Sequence, residues 1–242
     1  MPDDAHRWYL HWLEARMDWY ESLGIRGDHL RLRAHEQDEL SHYSSATSDV
    51  EYLYPIGWQE LEGIANRGDF DLTQHAQFSG EKLEYFDQQS GERYVPHVIE
   101  PAAGVGRATL SLLCDAYDED QIGGEARTVL KLHPRMAPVK VAVLPLVRKD
   151  GQPELAHEVR NLLRRRMQTE YDEGGSIGRR YRRQDEIGTP WCVTIDHQSL
   201  EDRTVTVRDR DTLTQDRVAI DELPDVLAGK LEAPWISPKL DA

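Results

Sequence analysis

The residues best suited to chemistry fall into two groups. In the first, Glu60 and Glu62 stand two positions apart in Trp58-Gln59-Glu60-Leu61-Glu62-Gly63-Ile64. Glu100 closes the run Glu92–Glu100, and Gly104-Val105-Gly106-Arg107 follows shortly after. Carboxylates at strand positions supply negative charge, glycine lets a backbone approach a ligand closely, and an arginine neutralises phosphate. Each pattern has a plainer reading on its own. The carboxylates can be surface or salt-bridged acids, and the Gly-Val-Gly-Arg string can be a turn into a helix with a solvated arginine. In the second group, Arg179, Arg180, Arg182 and Arg183 surround Tyr181, and an earlier basic run holds Arg160, Arg164, Arg165 and Arg166. Arginines meet phosphates and a tyrosine ring offers a face on which a base stacks. An exposed helix laced with Arg–Asp/Glu pairs has the same composition.

Regular elements must position these groups. Apolar residues from Trp8 to Leu23 follow the rhythm of an amphipathic helix over about Ala5–Gly24, with Asp4 as N-cap and Gly24 as C-cap. Its tryptophans, Trp8, Trp12 and Trp19, read as core material. Asp49–Ile64 reads as strands bent at Pro55 and Gly57, and Glu92–Glu100 as another strand feeding a helix over about Arg107–Tyr117. A second domain is expected from about Ala137, where Val139–Leu146 forms a nearly continuous apolar strand of the kind covered on both faces. A helix over Pro153–Thr169, a loop from Tyr171, a basic helix over Arg179–Ile187, strands at Trp191–Asp196 and Thr204–Asp209, and a last helix over Asp221–Leu231 follow. Strand–helix–strand alternation predicts an α/β domain with a mixed or parallel sheet. The expected division is therefore 1–136 and 137–242.

Composition narrows the classes. A chain of 242 residues with 30% charged and 39% hydrophobic residues reads as one large or two ordinary globular domains. No run of about 18 apolar residues occurs, so no conventional membrane-spanning helix and no membrane partner are expected. The start, Met1-Pro2-Asp3-Asp4-Ala5-His6-Arg7, lacks a basic region leading into an apolar stretch, so no secretory signal and a cytoplasmic location are expected. Cys114 and Cys192 lie far apart, which fits a reducing compartment and neither a zinc site nor a disulfide. The histidines are scattered, and no metal site is expected of them. Net charge is −15, so the arginine clusters form basic patches on an acidic body.

Longer strings carry a resemblance. Trp58–Arg67, Val98-Ile99-Glu100-Pro101-Ala102-Ala103-Gly104-Val105-Gly106-Arg107 and Gly175–Pro190 resemble the bacterial-type (homodimeric) glycyl-tRNA synthetases, a class II family. Leu40-Ser41-His42-Tyr43-Ser44 and Thr206–Asp211 match in the same order, so the likeness runs from about Ala5 to Leu231. The resemblance implies an α+β fold: part of a class II antiparallel sheet with helices, then an α/β anticodon-binding domain with a mixed sheet. It implies ATP with Mg²⁺, glycine and tRNA-Gly as partners, and a homodimer for the full-length enzyme. Gly104, Val105, Gly106 and Arg107 look like the third class II motif at the nucleotide, with Arg107 catalytic and Glu60 and Leu61 beside the nucleotide. Glu100 faces the substrate amine as a catalytic and substrate-binding residue, and Glu62, Ala102 and Gly104 complete the glycine pocket. Crowded carboxylates there would also exclude larger side chains. In the second domain, Arg179, Arg180, Tyr181, Arg182, Arg183, Asp185 and Glu186 are the RNA-binding candidates, the last two toward base edges. Read as a helix, Arg179 and Arg183 share a face.

Two departures shape the expected activity. Ala102 stands where the family carries a serine whose hydroxyl helps hold glycine, and Gly106 where many relatives carry aspartate. The first and second class II motifs, which build the dimer interface and grip the α-phosphate, precede the equivalent of Ala5 in relatives. The chain alone is therefore expected not to form glycyl-adenylate, and its first domain to expose an unpaired sheet edge. The alternative is a non-catalytic, synthetase-like nucleic-acid-binding protein. The Arg208-Asp209-Arg210-Asp211 run, alternating in sign, is expected to be structural pairing.

Overall fold

The computed structural model describes residues 4–239. Met1–Asp3, at the start read above for a signal, and residues 240–242 lie outside the described residues. No described helix is long and apolar enough to cross a membrane. The chain forms two compact units, Met1–Cys114 and Asp115–Ala242.

The first unit is an antiparallel sheet backed by helices. Helix α1 (Ala5–Ser22) precedes β1 (Leu30–Ala34), β2 (Ala46–Tyr54) and β3 (Gly57–Gly68). Helix α2 (Phe70–Ser79), the short strands β4 (Tyr85–Phe86) and β5 (Arg93–Tyr94), β6 (Val98–Ala103) and α3 (Val105–Ala116) follow. The sheet runs in the order β1-β2-β3-β6. Side chains alternate across its plane, and one face is apolar: Val50, Tyr52, Tyr54, Leu61 and Ile64 pack with Tyr9, Leu13, Met17 and Tyr20 of α1. The three tryptophans of α1 expected in the core instead face outward, Trp8, Trp12 and Trp19 being 49, 38 and 41% exposed. The helix turns Tyr9, Leu13, Met17 and Tyr20 inward at three- and four-residue spacing, which leaves the tryptophans on its opposite flank.

A bulge in β3 decides where its acids point. Val50 pairs with Glu62 and Glu51 with Glu60, so Leu61 is the extra residue. Regular alternation would place Glu60 and Glu62 on one face; the bulge sends them to opposite faces.

The second unit begins with a hairpin that the sequence does not announce, β7 (Tyr117–Ile122) and β8 (Glu125–Leu130), paired antiparallel. Its loop is Gly123-Gly124, with φ of 61° and 84°, the left-handed pair that a tight hairpin turn needs. Next come β9 (Val141–Pro145), α4 (Gln152–Leu163), β10 (Thr169–Tyr171), α5 (Ile177–Glu186) and β11 (Trp191–Ile195). The unit ends with α6 (His197–Asp202), β12 (Thr204–Asp209), β13 (Gln215–Ala219) and α7 (Leu223–Glu232). The sheet order is β10-β9-β11-β12-β13. β9 is parallel to both β10 and β11, while β11, β12 and β13 are antiparallel. Every residue of β9 and β11 is buried, as for strands covered on both faces. Val141, Val143, Val193 and Ile195 pack against Leu155, Val159, Leu163 and Leu227 on one side; Ala142, Leu144 and Cys192 meet Ile177 and Tyr181 on the other. Burial pushes the Cys192 thiol up to about 12, so it is a neutral core residue.

His133 makes this unit acid-sensitive. It is 8% exposed, its Nδ1 accepts from the Arg135 N–H at 3.0 Å, and its ring meets Trp235 edge-on at 5.1 Å. Burial, with Arg135, Lys140 and Arg210 nearby, lowers its pKa to about 4. The folded state thus binds this proton less readily than the unfolded chain. The associated stability is present above pH ~6.5 and is lost as pH falls toward the folded value. Denaturant midpoints should fall between pH 7 and pH 4, and His133→Asn, which keeps an acceptor but cannot titrate, should flatten that segment of the profile.

Candidate functional site

The sheet face of the first unit opposite α1 carries charge. Register places Arg31 beside Glu51, Arg33 beside Asp49, Asp49 beside Gly63, Gly63 beside Ala102 and Ala65 beside Glu100, so these residues share one side. Arg31 Nε donates to Glu51 at 2.6 Å and its guanidinium lies 4.3 Å from the Trp58 ring centroid. His35 Nε2 and Asp49 Oδ2 are 2.8 Å apart. Arg67 donates to Glu100 at 2.7 Å and is itself gripped by both Asp71 oxygens at 2.5 and 2.9 Å, over the Tyr43 ring at 4.1 Å. Glu100 thus extends from its strand with a fixed orientation.

Glycine at position 63 leaves a gap in this floor. A Cβ there would lie 3.8 Å from Asp49 Oδ1 and 3.9 Å from Glu60 Oε1. Two carboxylate oxygens therefore converge above a residue without a side chain, a geometry suited to a small cation such as an ammonium group. Ala102, exposed beside Gly63, presents a methyl where a serine would present a hydroxyl.

Arg107 closes the arrangement from the first turn of α3. Its Nη1 is 3.2 Å from Glu60 Oε2 and donates to the Glu60 carbonyl at 3.1 Å. Both side chains are about half exposed, so the pair is open to exchange with an incoming anion. A cavity of about 270 Å³ beside them is lined by Tyr54, Ile56, Gln59, Glu60, Arg107 and Leu110. Gly104, Val105 and Gly106 are exposed, and the Cα atoms of both glycines face open space.

Several sequence expectations are brought together here: Glu60 and Arg107 meet directly, and Glu100 and Ala102 lie on the same face. Glu62 is a correction. It is 1% exposed on the α1 side, where Arg16 Nε reaches Oε1 and Oε2 at 2.8 and 3.0 Å and Arg16 Nη2 reaches Oε2 at 2.9 Å. The Tyr20 hydroxyl donates to it at 2.7 Å, and burial with this carboxylate beside it pushes the Tyr20 pKa up. Glu62 is a structural anchor, not a substrate ligand. The Leu61 side chain lies in the core, which leaves its main chain for contact with a nucleotide. Asp49 was missed by sequence reasoning; its signal would have been its place opposite Gly63 in the β2–β3 register.

The basic helix of the second unit divides by face. Arg179, Arg183 and Glu186 are exposed. Arg179 makes no ion pair among the described residues, while Arg183 donates to Asp172 Oδ2 at 2.9 Å. Arg180 and Asp185 are corrections. Arg180 is 2% exposed and donates to the carbonyls of Pro145, Leu146 and Gly175, closing the end of β9 onto the turn before α5. Asp185 is fully buried and accepts from Arg208 at 2.9 and 3.0 Å and from Arg127 at 3.4 Å, with Arg182 3.7 Å away. Neither reaches a base edge. The Tyr181 hydroxyl bonds Thr194 at 2.6 Å and Arg208 lies 4.8 Å from its ring centroid, so one ring face is taken. The Arg208–Asp211 run pairs internally as expected: Arg208 with Asp185, and Arg210 with Asp211 at 2.7 Å.

The solved structure of prolyl-tRNA synthetase from Cryptosporidium parvum, in complex with L-proline and AMP, superposes with a TM-score of 0.67 at 18% identity, covering 96% of this chain and 48% of that one. Residues 140–230 match the family described as "Anticodon binding domain". The fold is thus that of a class II aminoacyl-tRNA synthetase. Within that class, the chain is a homologue of the glycine–tRNA ligases. It is 53% identical to that of Corynebacterium glutamicum over 95% of its own length and 52% of the relative's. It is 52% identical to that of Caldanaerobacter subterraneus subsp. tengcongensis over 96% of its own length and 50% of the relative's. The chain spans about half the length of the curated relatives it matches.

Proposed function

We propose that this chain is the C-terminal portion of a glycine–tRNA ligase, with part of the ATP and glycine pocket in residues 1–136 and a tRNA-anticodon-binding domain in 137–242. The observation that carries the reading is the face where Asp49 and Glu60 converge on Gly63, with Glu100 on the same side of the sheet and Arg107 paired to Glu60, in a chain half identical to glycine–tRNA ligases. Glycine offers only an ammonium and a carboxylate. The convergent carboxylates hold the ammonium, and their crowding leaves no room at its α-carbon for a larger side chain. Arg107 then leaves Glu60 for a phosphate oxygen of ATP, which enters with Mg²⁺ as a substrate complex. In adenylation, a glycine carboxylate oxygen attacks the α-phosphorus and pyrophosphate leaves; the ribose hydroxyl of tRNA-Gly next attacks the acyl carbon, releasing AMP. The residues here orient the amino acid and hold one side of the nucleotide. The grip on the α-phosphate and the homodimer interface belong to the part of the enzyme that this chain does not span. The setting is cytoplasmic translation.

Exposed Arg179, with Arg182 and Arg183, faces tRNA phosphate. The 242-residue chain is expected to bind tRNA-Gly without catalysing glycine-dependent ATP–pyrophosphate exchange. Arg179→Ala should weaken filter binding and reduce the slope of log affinity against log salt by about one unit. Clear exchange by the chain alone would refute the division of labour, and an unchanged slope would remove Arg179 from the interface.

A further inference from the structure

We propose that the outward stripe of α1 seats a helix from the part of the ligase that this chain does not span, and that this contact holds the two parts together without a peptide bond between them. The inference rests on the reading above and names the surface where the two parts meet.

Helix α1 carries two apolar stripes. Tyr9, Leu13, Met17 and Tyr20 face the sheet, and the helix is fixed there because Arg16 and the Tyr20 hydroxyl both bond the buried Glu62 carboxylate. Trp8, Trp12, Ala15 and Trp19 form the second stripe. At about 100° per residue, their Cβ atoms fall within about 60° of one another around the helix. Steps of four, three and four residues separate them, the spacing by which one helix meets another. The three tryptophans are between 38 and 49% exposed. A row of large aromatics on a surface marks a protein contact, where tryptophan is enriched. Ala15, between Trp12 and Trp19, is short enough for a partner's side chain to enter between the rings.

The surface beside the stripe is shaped to receive something. A hollow of about 380 Å³ lies between Trp8 and Trp12 on one side and Tyr94, Pro96 and His97 on the other. A second, of about 280 Å³, is lined by Trp8 with Arg7 and His11. Trp8 lines both, so a partner meets a ring flanked by two recesses.

The extent of the chain says what fills them. The curated relatives are about twice as long as the part matched, and on the reading above the remainder leads into α1. Ala5, the first residue of α1, itself lines the larger hollow, so the preceding segment arrives at the stripe. A second stripe on a helix already anchored by its first is then the face turned to that remainder.

The test joins the part of the Corynebacterium glutamicum ligase that precedes its match to the full 242-residue chain through a protease-cleavable linker. The fusion should catalyse glycine-dependent ATP–pyrophosphate exchange. After cleavage the two polypeptides should co-elute in size-exclusion chromatography and keep that activity. Trp8→Glu combined with Trp12→Glu should weaken their association about thirtyfold, as for aromatic anchors buried at an interface. The same pair of substitutions should leave the melting temperature of the unfused chain unchanged, because both rings face outward. Phe78→Glu, at an 82% exposed position on α2, should alter neither property. An inactive fusion defeats the ligase reading and, with its partner gone, this proposal too. Separation of the two polypeptides after cleavage of an active fusion overturns the contact and leaves that reading standing. So does a double variant that associates like the wild type, or an equal loss in Phe78→Glu. Pairing of the released chain with itself in place of its partner would assign the stripe to a second copy and likewise overturn the proposal.

Discussion

Asp185→Ala should lower the stability of the second unit by about 3–5 kcal/mol, the range for breaking a buried ion pair from one side. The carboxylate is fully buried and is the shared acceptor of Arg208 and Arg127, with Arg182 at its edge. Removing it leaves the Arg208 guanidinium, 6% exposed, with uncompensated charge and takes from Arg127, 1% exposed, one of its two acids. Arg127 keeps Asp120, with its Nε 2.6 Å from Oδ1, so Arg208 bears most of the loss. Urea unfolding at pH 7 checks this directly. Asp185→Asn, which keeps the volume, should recover only a minor part, because charge rather than shape is missing. If Asp185 instead contacted RNA, the variant would melt with the wild type and lose only tRNA affinity. That outcome would sink the structural assignment.

The second large effect separates neighbours in one strand. Glu62→Ala should cost the first unit about 3 kcal/mol, since it strands Arg16 and the Tyr20 hydroxyl at the junction of α1 with β3. Glu60→Ala, two residues earlier, removes an exposed pair with Arg107 and should change stability by less than about 1 kcal/mol. Denaturation followed by tryptophan fluorescence reads both, because Arg16 lies 4.0 Å from the Trp19 ring centroid and the helix moves if the anchor goes. Similar losses for the two variants would mean that the bulge does not divide them as described.

Much of the fold was legible because its signals are apolar. The Val139–Leu146 run identified the buried central strand, observed as Val141–Pro145, and the three-and-four spacing after Ala5 identified α1. The β7–β8 hairpin carried no such signal. Tyr117–Leu130 is dominated by charge, and what holds it is Arg127 reaching Asp120, Asp185 and the Arg210 carbonyl, partners that only the folded chain brings together. The candidate site was half legible for the same kind of reason. Collinear strings picked out Glu60, Glu100 and Arg107, but a period of two put Glu62 beside Glu60, and one extra residue in β3 reversed it. In α5, the i, i+4 pair Arg179 and Arg183 was found on its exposed face. The pair Arg180 and Gln184 repeats that spacing on the buried face, where polar residues hide from any hydropathy pattern.

Arg127 also bears on how the second unit could be handled in isolation. Its guanidinium joins the hairpin to α5 and, through the Arg210 carbonyl at 2.9 Å, to the turn after β12. Arg210 in turn donates to the Leu132 carbonyl at 2.8 Å, and Gly188, at φ +80°, packs so tightly that a Cβ there would come within 2.9 Å of the Leu130 carbonyl oxygen. A polypeptide excised at Ala137, following the sequence-based domain border, would therefore discard the cation and the carbonyl that these groups meet. A cut ahead of Asp115 keeps them, and it is the natural seam for lifting out this half as a freestanding polypeptide.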